Sequence, residues 1–365
     1  MKDFIITATR SMLSYAAEVV RQITRFPRFT PFAEAINGVG LLKMEPFADG
    51  EMEVVIKESI RGKDIFLFTG CARNEANIGI NEAKIELYHT IDALKRGQGG
   101  KITVFEPFVS CSRSDRTARR SSVGLWVHLK TLTGLGVQHF ITYQLHSDKS
   151  KTMLDPTVCV IDDIPGHILL KRYLCDHFIQ NTDTLNNNVR KNWAFCSVDA
   201  GGEKLARDFA NAFGAPLVVA HKQRDYSKAN TIESINILSS ESLEGKTLWI
   251  VDDMVDTGGS VVSLIRALEK HRPKEINIII MHAIFSGKAS EQMNQLAAEG
   301  LLNRIIASDT VYRPCLANEI GCLQVAPSAE ISAQIIKNIV ANMPMGRLFK
   351  AFNVEKYLTS QNLFS

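Results

Sequence analysis

The segment 248–269, LWIVDDMVDTGGSVVSLIRALE, leaves few folds open to this chain. Leu248 to Val251 is a short apolar run rich in β-branched and aromatic residues, and Gly245 precedes it, so it reads as a buried parallel strand. Two carboxylates, Asp252 and Asp253, stand at its end, followed by a loop with Asp256, Thr257, Gly258, Gly259 and Ser260. Val261, Leu264, Ile265 and Leu268 then recur at i, i+3, i+4 and i+7, one apolar stripe of a helix. A glycine loop opening a helix offers unpaired backbone N–H groups and the positive end of the macrodipole, which together cradle a phosphate. Carboxylates just ahead of that cradle repel phosphate and suit hydroxyl groups or a hydrated divalent cation. The spacing is neither GxxxxGK[ST] nor GxGxxG.

At 365 residues the chain exceeds one ordinary core, and two domains are expected. A net charge of +3 is small for this length and argues against a general nucleic-acid binder. The longest apolar run, INIIIMHAIF, is ten residues and contains Asn277 and His282, so no segment is expected to span a membrane. The seven cysteines are scattered without CxxC or His–Cys zinc spacing, which fits free thiols in a reducing cytosol and a cytoplasmic protein. The start, MKDFIITATRSM, has an acid at position 3 and no cleavage-like site, unlike a signal peptide; Arg-rich, acid-poor residues 1–30 leave organelle import as a weaker alternative.

Taken in order, Phe4 to Thr9 reads as a strand and Met12 to Ile23 as a helix, and residues 24–46 as loop-rich. A DGE turn at 49–51, a strand, a charged turn at Arg61 to Asp64 and a second strand follow. Asn81 to Arg96 is expected as a helix striped by Ile85, Tyr88, Ile91 and Leu94. After the strand ITVFEPFVS comes CSRSDRTARR, four arginines within eight residues, a loop suited to a polyphosphate. A helix at Val123 to Leu132 and a strand at His139 to Tyr143 lead to QLHSD, with His146 just past the strand end. Residues 180–192 are polar and aperiodic, an inserted surface loop. WAFCSVDAGGEKLARDFANAF repeats the central design: strand, Asp199, paired glycines, then a helix striped by Leu205, Phe209 and Phe213. A strand ending at Ala220 then opens into a basic, mobile stretch with Lys222 and Arg224, placed between two phosphate loops to close over transferring charge.

VDDMVDTGGS resembles the ribose-5-phosphate loop of phosphoribosyltransferases and ribose-phosphate pyrophosphokinases. In those families the DTGGS part holds the 5-phosphate and the acidic pair holds the ribose 2- and 3-hydroxyls. Phe47, Asp49 and Glu51 followed by RGKD narrow the resemblance to the pyrophosphokinases, where this turn reaches the adenine of ATP across a subunit interface. The resemblance likewise implies that Arg113, Ser114, Asp115 and Arg116 hold ATP. Cys111 stands for the family's tyrosine and Ser114 for its glutamine, which puts nucleotide affinity or base choice in question. By the same likeness His146 and Asp199 take Mg²⁺, and Lys222 and Arg224 form the catalytic loop. Magnesium prefers oxygen ligands, so His146 needs carboxylate, phosphate and water beside it.

The implied fold is α/β, with two phosphoribosyltransferase-like doubly wound domains and mainly parallel sheets. An N-terminal domain over 1–163 takes the ATP side, a C-terminal domain over 164–349 carries the sugar-phosphate and catalytic loops, and 350–365 forms a tail. The implied reaction is pyrophosphoryl transfer from MgATP to ribose 5-phosphate, giving phosphoribosyl pyrophosphate (PRPP) and AMP, in a homo-oligomer that is a dimer or a ring of dimers. Two alternatives stand beside it. A non-catalytic homologue could regulate the active enzyme, as Cys111 and Ser114 allow. A phosphoribosyltransferase would share VDDMVDTGGS but has no need of the DGE turn, the arginine loop or QLHSD.

Overall fold

The computed structural model describes residues 3–117, 120–224 and 232–360, the side chains of 222–224 and 232–234 excepted. The chain divides into two compact units. The first holds Met1–Pro165, Thr310–Arg313 and Pro327–Phe349; the second holds Gly166–Asp309, Pro314–Ala326 and Lys350–Ser365.

In the first unit seven short strands follow the apolar runs: β1 (Phe4–Ala8), β2 (Leu42–Pro46), β3 (Met52–Ile56), β4 (Asp64–Phe68), β5 (Ile102–Phe105), β6 (His139–Tyr143) and β7 (Val160–Ile164). Five of them form a parallel sheet in the order β1-β4-β5-β6-β7, while β2 and β3 make a separate antiparallel hairpin. The hairpin corrects the loop-rich reading of 24–46, because Met44 and Val54 pair across it and Val54 is buried. The helices Ile80–Arg96 and Gly124–Gly134 bury Leu87, Ile91, Leu94, Leu125, Leu129 and Leu132 in one core with the strand residues Leu67 and Val104. The first of these helices is rotated from the expected stripe, with Ile85 45% exposed and Glu86 fully buried. Arg10 causes this: its backbone N–H donates to Glu86 Oε1 at 2.7 Å and its Nε to Oε2 at 2.8 Å, so a carboxylate enters the core already paired.

Residues 327–349, assigned by sequence to the C-terminal domain, pack instead with the first unit. The helix Ala329–Val340 lies against the helix Leu13–Ile23. Tyr15 Oη is hydrogen-bonded to Ser328 Oγ at 2.7 Å and Ser332 Oγ at 2.9 Å, Tyr143 Oη reaches Ser332 Oγ at 2.6 Å, and Lys337 Nζ sits 4.1 Å from the Phe26 ring centroid. Apolar periodicity signals a helix but not its partner.

The second unit contains β8 (Trp193–Ser197), β9 (Leu217–Arg224), β10 (Ile232–Ser239), β11 (Thr247–Val255), β12 (Glu275–Ala283), β13 (Arg304–Ser308) and β14 (Leu323–Ala326). They form one sheet ordered β10-β9-β8-β11-β12-β13-β14, parallel except for the β10–β9 pair. The strand β9 does not stop at Ala220; it runs through Arg224 because β10 pairs with it, Ile235 opposite Lys222 and Ile237 opposite Ala220. Likewise β11 extends past Val251 to Val255, so Asp252 and Asp253 lie within the strand, held by pairing with β12. The helix Gly259–Glu269 buries Val261, Leu264, Ile265 and Leu268, the four positions the periodicity selects.

Residues 182–192 are helical rather than an open loop, and 185–189 form a π-helical turn. Leu185 and Val189, four apart, are both fully buried, and Asn181 caps the first turn by accepting from Thr184 N at 2.8 Å. The tail is tied down through the helix Val354–Ser360: Tyr357 Oη donates to Asp176 Oδ1 at 2.6 Å, and Arg190 Nη2 donates to Glu355 Oε1 at 2.5 Å. Among the described residues no helix is long and apolar enough to cross a membrane.

Candidate active site

In a parallel α/β sheet the loops that leave the strand C-termini gather at one end, where such sheets bind ligands. In the second unit β8 and β11 are adjacent, Ser197 opposite Val251, and each continues into one of the glycine-containing segments. After β8, Asp199 folds back on its own loop: Oδ1 accepts from Gly201 N at 2.9 Å and Gly202 N at 3.1 Å. A Cβ at Gly202 would lie 3.8 Å from Asp252 Oδ1, so the segment after β8 approaches Asp252 at that glycine.

Asp252 Oδ1 also accepts the N–H of Asp253 at 2.9 Å. Burial first, then the charges of Asp253 and Asp199, pushes the Asp252 carboxyl well above the usual carboxylate range, against the pull of that N–H. Negative charge gathered at this strand end disfavours an anion and favours a hydroxyl donor.

The next turn has the geometry that suits an anion. Gly258 takes the left-handed φ of +79° just before the helix Gly259–Glu269, a conformation that favours glycine. A Cβ there would come within 3.2 Å of Met293 Cε and 3.3 Å of Gln292 Oε1. The loop is anchored from behind, with Phe285 N donating to Val255 O at 3.0 Å and Ser286 N to Asp256 O at 2.9 Å. Thr257, Gly259 and Ser260 face solvent, and the first helical turn has no acidic residue to compete with an anion for its N–H groups.

Lys222 and Arg224 lie on the outer ribbon of the same sheet, with backbone partners Ile235 and Ile232 on β10. Their side chains, and residues 225–231 of the expected flap, lie outside the described residues.

In the first unit Phe47, Asp49 and Glu51 form the exposed tip of the β2–β3 hairpin. Phe47 N donates to Glu51 O at 2.8 Å, Asp49 Oδ1 accepts from Glu51 N at 3.1 Å, and Phe47 is 52% exposed. The arginine segment follows β5, with Arg113 and Arg116 exposed and Asp115 half-buried. Ser114 is engaged locally: its Oγ accepts from Gly124 N at 3.0 Å, capping the start of the helix Gly124–Gly134. Cys111 has φ +64° and receives Lys84 Nζ at 3.0 Å from its sulfur.

His146 is exposed in the loop after β6, where neighbouring Leu145 N donates to Asp163 Oδ1 at 2.9 Å. His146 belongs to the first unit and Asp199 to the second, so the described geometry does not join them. Among the described residues no group of three or more His, Cys, Asp and Glu side chains converges as a metal site.

One cluster escaped sequence reasoning. Glu106 and His128 are both buried, Glu106 Oε2 lying 2.7 Å from His128 Nε2, and Tyr88 Oη lies 2.9 Å from the other ring nitrogen. Glu106 Oε1 also accepts from Ser110 N at 3.0 Å, fixing the backbone from which the arginine segment departs. The signal was an acid ending the apolar strand ITVFE and a histidine among leucines in GLWVHLK.

Two family models match the chain. The N-terminal domain of ribose phosphate pyrophosphokinase covers residues 6–136, and the phosphoribosyl transferase domain covers 173–302. A ribose-phosphate pyrophosphokinase of Mycoplasma pneumoniae is 32% identical over 75% of this chain and 77% of its own length. The enzyme of that name from Campylobacter jejuni is 30% identical over 91% of this chain and 96% of its own length. The crystal structure of phosphoribosylpyrophosphate synthetase from Mycobacterium smegmatis superposes with a TM-score of 0.76 at 24% identity, covering 93% of this chain and all of that one, which establishes the shared fold.

Proposed function

The chain belongs to the ribose-phosphate pyrophosphokinase family, and on that premise we propose that it transfers the pyrophosphoryl group of MgATP to the 1-hydroxyl of ribose 5-phosphate, releasing AMP and PRPP. The observation that supports this reading is the succession in the second unit of a carboxylate-rich strand end at Asp252 and a glycine turn, Asp256–Ser260, that opens a helix. A sugar phosphate needs both: hydroxyls meet carboxylates and a dianion meets helix N–H groups.

Thr257, Gly258, Gly259 and Ser260 bind the 5-phosphate, and Asp252 and Asp253 accept the ribose 2- and 3-hydroxyls. The sugar is thereby held with its 1-hydroxyl presented for in-line attack on the β-phosphorus of ATP. Arg113 and Arg116 neutralise the triphosphate, Asp115 orients them, Ser114 sets the backbone of the segment, and the hairpin tip of Phe47, Asp49 and Glu51 receives the adenine of a neighbouring subunit's ATP in a homo-oligomer. Lys222 and Arg224 stabilise the charge that develops as the bridging oxygen of AMP departs. Oxygen donors suit magnesium, and burial together with the charges of Asp253 and Asp199 raises the Asp252 pKa, a cost that a cation bound nearby would lower. Asp199 and His146 would hold the ion together with phosphate oxygens and water, and when bound it supplies charge neutralisation to the polyphosphate.

The protein contributes position and electrostatics more than covalent chemistry. The test is an assay for release of the nucleoside monophosphate from purified protein with ribose 5-phosphate and, in turn, ATP, dATP, GTP and CTP, AMP being the product from ATP. Release of AMP dependent on ribose 5-phosphate supports the synthetase. A transferase would consume PRPP and release no AMP, and a regulatory homologue would be inert when purified alone.

A further inference from the structure

At the root of the arginine segment the first unit buries a chain of polar groups. Glu106, the residue after β5, is fully buried and engages both carboxylate oxygens. Its Oε1 accepts from Ser110 N at 3.0 Å, and its Oε2 lies 2.7 Å from His128 Nε2. As a carboxylate Glu106 only accepts, so Nε2 carries the hydrogen and Nδ1 is left to accept. Tyr88 Oη, 2.9 Å from Nδ1, supplies the donor; burial pushes its pKa up to about 12, so the hydroxyl keeps its proton at neutral pH. One orientation of the imidazole thus satisfies all three residues, and it ties the helices Ile80–Arg96 and Gly124–Gly134 to the backbone at Ser110.

The backbone it holds is under strain. Cys111, next to Ser110, has φ +64°, in the left-handed region that costs a residue with a side chain about 1–2 kcal/mol. On either side of it, Ser110 Oγ and Ser112 Oγ are buried and meet no partner among the described residues. Such a conformation persists where the surroundings over-determine it. Two contacts from outside the segment do so here: Glu106 takes the Ser110 N–H, and Lys84 Nζ, from the helix Ile80–Arg96, reaches Cys111 Sγ at 3.0 Å. The exposed Arg113 and Arg116 follow directly. An apolar pair of similar volume would serve stability about as well as a buried ionisable one, so Glu106 and His128 are better accounted for by what they hold.

We propose that Glu106, His128 and Tyr88 are positioning residues, which set the arginine segment in the geometry that receives the polyphosphate of ATP. The inference rests on the nucleotide-binding role given above to Arg113 and Arg116, and adds to it the buried residues that keep the backbone of those cations in place. Without that hold the segment has to be ordered at the moment of binding, and the ordering is subtracted from affinity.

Equilibrium binding of MgATP to the full-length protein, without ribose 5-phosphate, is the test. Glu106→Ala, which releases the Ser110 N–H, is expected to weaken MgATP at least about tenfold. Glu106→Gln keeps an oxygen for Ser110 N, with the imidazole tautomer reversed, and should stay within about threefold of the parent. Leu132→Ala lowers stability from the same core without touching the segment, and should bind MgATP like the parent. His128→Ala leaves Glu106 in place but unoriented; it should weaken MgATP about threefold or more, and it carries the test if Glu106→Ala does not fold. In turnover the loss belongs in the KM for ATP, with kcat and the KM for ribose 5-phosphate unchanged. MgATP bound equally by the parent and by Glu106→Ala or His128→Ala, or weakened as much by Leu132→Ala, overturns the positioning role while the nucleotide reading stands. MgATP bound by neither parent nor variants overturns that reading, and this inference with it.

Discussion

Asp252 is a carboxyl group placed where ionisation is costly, by burial and by the charges of Asp253 and Asp199. Its folded pKa lies above the unfolded value, so the stability it contributes is complete below the unfolded pKa and is lost as pH rises through the folded one. The apoprotein therefore bears the cost at neutral pH, and ligands that accept that charge remove it. Asp252→Asn is expected to raise the melting temperature of the apoprotein at pH 7, by about 2–4 °C for each kcal/mol relieved, and to weaken ribose 5-phosphate binding. A fall in melting temperature would contradict this. At Gly258 the constraint is steric: alanine at φ +79°, with Met293 close behind, should cost about 1–2 kcal/mol in chemical unfolding. His128→Ala removes the hydrogen bond to the buried Glu106 Oε2 and should cost about 1–3 kcal/mol, read from the urea midpoint at constant m value.

Elements followed sequence most closely where a period is strong and its environment simple. The helix Gly259–Glu269 buries the four residues that its spacing selected. Where a polar residue is drawn inward the stripe misleads, as when Arg10 pairs with Glu86 and turns Ile85 outward. Strand lengths failed for another reason: Asp252 and Arg224 are polar, and only pairing with β12 and β10 keeps the chain extended there. Residues 180–192 look like a loop by composition, yet Leu185 and Val189 suffice to dock them, and Leu185→Ala should cost about 2–5 kcal/mol. The strand-end carboxylates and the glycine turn before the helix were legible because they are contiguous in sequence, whereas the pairing of Glu106 with His128 was not, since its partners are 22 positions apart. The helix His167–Leu174 predicts an acid response of its own. Burial, and then the charge of Lys171, lowers the His167 pKa to about 4 against the pull of Asp208. The unfolded chain binds that proton first, so stability falls as pH drops from about 6.5 toward 4. His167→Asn should flatten that limb of the stability–pH curve, and an unaltered slope would refute the assignment.

The chain comprises two α/β units, one carrying the arginine segment and the other the acidic strand end with the glycine turn that follows it. In the proposed reaction the two substrates are gripped by different parts of the chain, and the cations Lys222 and Arg224 act on charge passing between them. Lys222→Ala should lower kcat by about a hundredfold or more while ribose 5-phosphate still binds. A pyrophosphokinase is defined by which bond of ATP breaks, and the fate of a radiolabel at the β-phosphate, followed in the presence of ribose 5-phosphate, reads that bond without intermediaries. The label is expected in PRPP, with one AMP formed for each. Label recovered in ADP, with a single phosphate passed to the sugar, would contradict pyrophosphoryl transfer.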